Sequence, residues 1–159
     1  MKHSFGRLYA LLGLMLLPAA LADQTAANLK PFTSVCVNAD FTEGGKSNDD
    51  VTGIIVDAMF GKLDAAGIKV NDAPCQPKGS LASKQVNLFF SFDTTDSGDV
   101  YSVDLSGWLK KDGPFDTVDL WTVGRYGSFK KGTGQAKALA VLDSVLGDFV
   151  GDWKSSHGK

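Results

Sequence analysis

Three runs of strand-forming residues decide the fold of this chain: VNLFFSF at residues 86–92, VYSVDLSGWL at 100–109 and TVDLWTVGRY at 117–126. They concentrate aromatic and β-branched side chains, which favour strands. The turn-forming sequences DSGD (96–99) and KDGP (111–114) separate them. This order predicts a β-meander, in which two antiparallel connections join three strands.

Alternation along these strands predicts which face of the meander is buried. Apolar side chains at positions 86, 88, 90 and 92 share one parity, and we assign positions 101, 103, 105 and 109 and positions 118, 120 and 122 to the same core face. The opposite face then carries an unusual set of apolar side chains beside a charged one. The set is Phe89, Trp108, Trp121 and Val123, with Arg125.

These five residues form the candidate partner surface, because apolar patches rimmed by charge are typical of contact surfaces. Two other interpretations stay open. The segment 71–84 or residues 23–31 could cover this face, as apolar sheet faces are usually covered. A one-residue β-bulge could also turn Trp121 inward.

The remaining elements complete an α+β domain. A first strand spans residues 32–41, a helix capped by Ser47 runs to a stop at Gly67, and Ile68–Val70 forms a second, short strand. Apolar residues at steps of three and four predict a last helix over residues 136–153. The order β-α-β-β-β-β-α predicts a five-stranded mixed sheet with two amphipathic helices packed on one face.

Residues 1–22 have the pattern of a secretory signal peptide. A basic region ends at Arg7, an uncharged apolar run covers residues 8–17, and small residues precede Asp23. A retained membrane anchor is the alternative, although the apolar run is short for a bilayer span. We expect cleavage after Ala22, a flexible lead-in over 23–31 and a single domain over 32–155. The protein would then be periplasmic or secreted and have no membrane span.

Charge and histidine content narrow the classes of function. Loss of Lys2 and Arg7 with the signal peptide removes two positive charges and no acid, so the net charge falls from −2 to −4. An acidic chain is a poor partner for nucleic acid or an anionic membrane. His157 is the only histidine after residue 22, and GxSxG, HExxH and phosphate-binding glycine motifs are absent. The sequence predicts a non-catalytic protein with no cofactor.

The only two cysteines are Cys36 and Cys75. In an oxidising compartment such a pair is most simply a disulfide, which would tie the segment 71–84 to the first strand. A redox or metal pair is the alternative, but no CxxC motif and no neighbouring histidine support it.

One acidic turn is a candidate calcium site. Asp93, Asp96 and Asp99 place three carboxylates in the connection between two meander strands. Calcium needs six to eight oxygen ligands, and the alternating D-x-D-x-D-G pattern is missing. Aspartates that simply favour turns are the alternative interpretation.

The layout resembles the amino-terminal α/β domain of TolB-type periplasmic proteins. The resemblance rests on the helix that begins with acids and passes through Ile54 and Ile55 to Gly67, on the meander strand GDVYSVDL (98–105), and on the closing amphipathic helix. It covers most of residues 32–153 and implies a role in protein contacts at the cell envelope. The cysteine pair departs from that pattern and we expect no propeller after the domain, so no functional residue is carried over.

We therefore expect an exported, non-catalytic binding or assembly module of a bacterial cell envelope. Its partner would be another envelope protein or a second copy of itself. The alternative is a small periplasmic enzyme or small-ligand carrier that uses a pocket between the helices and the sheet.

Overall fold

The computed structural model describes residues 25–71, 75, 84–110 and 117–158. The predicted signal peptide, residues 1–22, lies outside the described residues. A 3₁₀ helix, Ala26–Leu29, comes first. The strands and helices then follow as β1 (Ser34–Glu43), β2 (Lys46–Ser47), α1 (Asp49–Ala65), β3 (Gln85–Thr94), β4 (Val100–Lys110), β5 (Thr117–Ser128) and α2 (Gly134–Ser156).

The five strands form one mixed sheet in the order β2-β1-β3-β4-β5. Strands β1 and β3 are parallel, with Val35 beside Val86 and Phe41 beside Phe92. The connection between them contains α1, as a parallel pair requires a long crossover. The other three strand pairs are antiparallel, including the predicted meander β3-β4-β5. The α+β fold with a five-stranded mixed sheet and two helices is confirmed.

The predicted second strand differs in detail. In place of a strand, Ile68–Val70 contributes a single parallel bridge between Val70 and Val35. The additional strand is β2, which pairs with the end of β1 through a two-residue turn at Gly44 and Gly45. Both glycines have positive φ, 60° and 72°, and a type I′ hairpin turn requires this at its two central positions.

Both helices pack on the same face of the sheet. Helix α1 buries Val51, Ile55, Met59 and Leu63, while α2 buries a stripe that ends at Phe149 and Trp153. An ion pair between Lys62 and Asp143 links the two helices at their outer surface. Helix α1 is capped by Asn48, whose side chain accepts a hydrogen bond from the Val51 amide at 3.2 Å, and not by Ser47 as predicted.

Both ends of the described chain are packed, which corrects two expectations. Leu29 is completely buried in the core, so residues 25–31 are part of the domain and not a flexible lead-in. At the other end, the ring of His157 stacks on Trp153, and its Nε2 donates a hydrogen bond to the carbonyl of Phe32 at 2.7 Å. The domain therefore extends beyond residue 155, and His157 joins its two ends.

The disulfide between Cys36 and Cys75 is confirmed. Cys36 lies in β1 on the face of the sheet away from the helices, beside Asn87 of β3. The two Cα atoms are 5.4 Å apart, and the cysteines are 39 positions apart in the sequence. Because the bond closes such a long loop, it restricts the unfolded chain strongly.

We predict that Cys36→Ser lowers the free energy of unfolding by about 4 kcal/mol, the loop-closure contribution for a loop of this length. Cys75→Ser and the double Ser variant should lose a similar amount, because all three remove the same bond. Urea denaturation of the four proteins measures this. A double variant that loses twice as much as either single variant would contradict it.

Candidate functional site

The structure divides the predicted partner surface between the two faces of the sheet. Phe89 and Trp108 lie on the face away from the helices, as predicted. Trp121, Val123 and Arg125 lie on the helix face, so their assignment was wrong. The cause is a register shift: Gly107 of β4 pairs with Trp121 of β5, whereas the next residue, Trp108, pairs with Asp119. The extra residue forms a β-bulge, which reverses the side-chain alternation on β5.

Trp121 is a core residue and not a contact residue. Its side chain is only 2% exposed, and it packs edge-to-face on Phe149 of α2 with ring centres 5.2 Å apart. Its indole Nε1 donates a hydrogen bond to the carboxylate of Asp152 at 2.8 Å. This contact satisfies the only polar atom of the indole side chain and fixes α2 against the edge of the sheet.

Arg125 lies at the rim of the same face. Its guanidinium donates to Asp148 of α2 at 2.7 Å and to the carbonyl of its neighbour Gly124 at 2.9 Å. Both partners of the ion pair are nearly half exposed, so the pair contributes at most about 1 kcal/mol. A groove of about 490 Å³ runs between β5 and α2; its lining comprises Trp121, Val123, Arg125, Gly147, Asp148, Gly151 and Asp152.

Phe89 and Trp108 are half-buried on the opposite face. The strand register places Asn38 and Ser106 on either side of Phe89, and Asn87 and Asp119 on either side of Trp108. Beyond them, toward the other end of the sheet, this face is polar and exposed at Asp40, Asp93, Ser102 and Asp104. Two half-buried aromatics at the border of a polar surface are common on single-layer sheet faces and do not define a site.

Asn87 is the one buried side chain among the described residues whose polar atoms have no hydrogen-bond partner. It is 1% exposed and lies between Cys36 and Trp108 on the face away from the helices. A buried amide without partners costs about 1–3 kcal/mol. No pattern in the sequence marks Asn87, because an asparagine inside an alternating strand is typical of a solvent-facing position.

Among the described residues, no strand lies beside the outer edge of β5, which therefore presents its backbone groups. The amide of Phe129 donates to the carbonyl of Asp99 at 2.9 Å, which makes Val100 and Ser128 a non-hydrogen-bonded pair. Because pairs alternate along an antiparallel ladder, Trp121, Val123, Arg125 and Gly127 bond to β4. Thr122, Gly124, Tyr126 and, at the end of the strand, Ser128 therefore direct their N–H and C=O groups outward.

We call the three outward residues inside the strand, Thr122, Gly124 and Tyr126, the open edge of the sheet. Of their six backbone groups, the structure gives a partner to the Gly124 carbonyl, which accepts from Arg125. The edge is limited on one side by the bulge, where the side chain of Asn28 donates to the carbonyl of Leu120 at 2.8 Å. Tyr126 has 88% of its surface exposed, which is uncommon for an aromatic residue in a strand.

The opposite edge of the sheet is blocked at both ends. Strand β2 covers Thr42 and Glu43, and the segment after α1 bonds to Val35 in both directions, from the Val35 amide to Lys69 and from the Asn71 amide to Val35. Short or covered edge strands protect a sheet from unwanted pairing. The long strand β5 lacks this protection over residues 122–126.

The acidic turn gives no cation site. Asp99 accepts hydrogen bonds from the hydroxyls of Ser97 and Thr95, and the Ser97 bond is the main cause that lowers the pKa of Asp99. Asp93 and Asp96 are exposed and do not join it in a cluster. Within the described ranges, no group of three His, Cys, Asp or Glu side chains could hold a metal ion. Asp96 and Asp99 act as turn residues, whereas Asp93 belongs to β3 and pairs with Ser102 of β4.

A cleft of about 510 Å³ opens at the carboxyl ends of β1 and β3, where α1 begins. It carries two bases and two acids, Lys46, Lys131, Glu43 and Asp96. The Glu43 carboxylate lies against the first residue of α2, so close that a Cβ on Gly134 would be 2.6 Å from it. An acid at a helix start is favourable, so Glu43 stabilises α2 from a distant part of the chain.

Comparison of the chain with profiles of protein families and with curated proteins gives no match. Among the helices that the structure describes, none is long and apolar enough to cross a membrane.

The two meander tryptophans should respond differently to truncation. Trp121→Ala should lower the free energy of unfolding by about 3–5 kcal/mol, because it removes a buried aromatic and leaves a cavity. Trp108→Ala should cost about 1 kcal/mol, since its side chain is half-buried. Chemical denaturation of both variants measures the difference. Equal losses would contradict the placement of Trp121 in the core.

Asn87→Val should raise the free energy of unfolding by about 1–2 kcal/mol, because valine removes two unpaired polar atoms and suits a strand. Asn38→Val is the control: this exposed asparagine lies on the same sheet face and already accepts a hydrogen bond from the Ala39 amide, so its replacement should not raise the free energy of unfolding. A clear loss of stability in Asn87→Val would show that the amide has a partner, such as a buried water.

Proposed function

We propose that this chain is an exported, non-catalytic binding or assembly module of a bacterial cell envelope, which acts through protein–protein contacts. The observation that carries the proposal is the open edge of β5. In the part of the chain that the structure describes, no strand lies beside its outward N–H and C=O groups at Thr122, Gly124 and Tyr126, while the opposite edge of the sheet is blocked at both ends. An extended segment of a partner can pair with such an edge as an additional strand.

Strand addition divides affinity and specificity between two sets of groups. Backbone hydrogen bonds along residues 122–126 would supply affinity for any extended segment. Specificity would come from the side chains next to the edge: Tyr126 on one face, and on the other the groove between β5 and α2 with its ion pair of Arg125 and Asp148. The partner segment that best fits this groove carries small or basic side chains, because the groove holds two acids and one base.

The disulfide supports an exported location. Disulfides form and persist in oxidising compartments, and the Cys36–Cys75 bond anchors a long segment of the chain. Together with the leader-like residues 1–22, it favours a periplasmic or secreted protein. The net charge of −4 expected after cleavage favours protein partners over nucleic acid.

A second candidate function is binding of a small ligand, in line with the alternative from the sequence. The specific observation is the cleft of about 510 Å³ at the carboxyl ends of the parallel strands, which is where open α/β sheets bind ligands. Lys46 and Lys131 would face an anionic group there, although Glu43 and Asp96 balance their charge. A thermal-shift screen with metabolites tests this candidate, since a ligand that binds the native state raises the melting temperature.

The protein-binding proposal predicts that Thr122→Pro strongly reduces partner capture. Proline removes an outward N–H of β5 and leaves the hydrogen bonds to β4 intact. Immobilised protein is incubated with solubilised envelope extract, and the retained proteins are quantified by mass spectrometry. We expect the specifically retained proteins to fall roughly tenfold, the effect of about 1.4 kcal/mol.

Thr122→Val is the matched control, because it changes the same side chain and keeps the N–H. It should retain the same partners as the unmodified protein, and both variants should melt within a few degrees of it. Capture that is equal for Thr122→Pro and Thr122→Val would contradict a role for the edge.

A further inference from the structure

We propose that the partner at the open edge is a second copy of this chain, and that two β5 strands pair antiparallel about a two-fold axis at Gly124. The pairing would join two five-stranded sheets into one continuous sheet of ten strands. This inference rests on the binding edge of the proposed function and names its occupant.

The open edge is symmetric about Gly124. Thr122 and Tyr126 lie at equal distances from Gly124, and beyond them lie Leu120, whose carbonyl is already bonded, and Ser128, the last residue of β5. When two copies pair about Gly124, Thr122 of each lies opposite Tyr126 of the other. All six outward backbone groups of each copy then meet a complementary group, because these become the hydrogen-bonded pairs of the new ladder.

Self-association through the edges of the sheet has one arrangement that closes into a defined oligomer. If β5 paired with the opposite edge of the next copy, the contact would repeat head-to-tail without closure. Strand β2 and the bonds around Val35 block that edge at its two ends. Pairing of β5 with β5 uses the same surface on both copies and stops at a dimer, which is the commonest form of soluble homo-oligomer.

Side chains fit this register on both faces. On the face away from the helices, the exposed ring of Tyr126 lies opposite Thr122 of the second copy, and an aromatic beside a β-branched residue is a favourable cross-strand pair. On the helix face, Arg125 lies opposite Val123 of the second copy. A register centred on Arg125 would instead place two guanidinium groups together, and like charges directly opposite are destabilising.

The groove between β5 and α2 supplies charge complementarity across the axis. Arg125 of one copy would reach the rim of the groove of the other, where Asp152 holds the indole of Trp121. Gly147 and Gly151 line that groove, so no large side chain of α2 stands in the way. The Gly124 carbonyl, which now accepts from Arg125, would accept from the amide of Gly124 in the second copy.

Sedimentation equilibrium of the disulfide-intact chain from Asp23 onward tests the association. We expect a dimer at micromolar concentration, a dimer for Thr122→Val, and at least roughly tenfold weaker association for Thr122→Pro, which removes two hydrogen bonds per dimer. A monomer at all concentrations, or equal association of the Pro and Val variants, would overturn the proposal.

Cysteine cross-linking tests the register. The double variant Thr122→Cys/Tyr126→Cys should form a covalent dimer without reductant, because opposite residues of a hydrogen-bonded pair have Cα atoms about 5.5 Å apart, within reach of a disulfide. Each single variant is a matched control, since its new cysteine lies opposite tyrosine or threonine. Covalent dimer in the single variants, or none in the double variant, would overturn the register about Gly124.

The two proposals fail in different ways. If the chain is monomeric and Thr122→Pro still strongly reduces capture of an envelope protein, the edge is a binding site but its partner is not a second copy of this chain. If Thr122→Pro changes neither association nor capture, both proposals are wrong.

Discussion

The β-bulge in β5 determines how the second half of the chain packs. The extra residue opposite Gly107 and Trp108 rotates Trp121 onto the helix face, where it contacts Phe149 and bonds to Asp152 of α2. From there a line of rings continues through Phe149, Trp153 and His157, with centres 4.6–5.7 Å apart, to the carbonyl of Phe32. The edge strand, the last helix and the start of the domain are therefore held together through one side chain whose orientation depends on the bulge.

Sequence patterns predicted the interior of this fold well because each buried element carries a strong period. The alternation in β3 and β4 places Leu88, Phe90 and Leu105 in the core as predicted, and the spacing of Leu142, Leu146 and Phe149 predicted α2. Periodicity fails where a strand gains a residue. Positions 118, 120 and 122 of β5 alternate as regularly as any others, so nothing in their spacing reports the bulge, and Trp121 was assigned to the wrong face.

The candidate site escaped prediction for a different reason. An edge is a property of strand order, and the order β2-β1-β3-β4-β5 depends on where α1 returns the chain. The sequence between residues 85 and 128 reads as three similar strands and does not say which one lacks a neighbour. The sequence does not predict the blocked edge on the opposite side either. Its two-residue strand β2 depends on the turn at Gly44 and Gly45, and this stretch has the composition of an ordinary loop.

The two edges of the sheet are protected by different kinds of contact. On β1, the blocking groups are a hairpin and one bridge, both formed by residues near it in the chain or in the crossover. On β5, protection consists of the bulge, the contact from Asn28 and the Arg125 guanidinium on the Gly124 carbonyl. The bulge and the Asn28 contact are fixed by packing. The guanidinium is nearly half exposed and is held by a weak ion pair, so a partner strand can displace it at little cost. The open edge, whose middle carbonyl is held only by an exposed guanidinium, is thus shielded from unspecific pairing and accessible to a partner that offers hydrogen bonds in return.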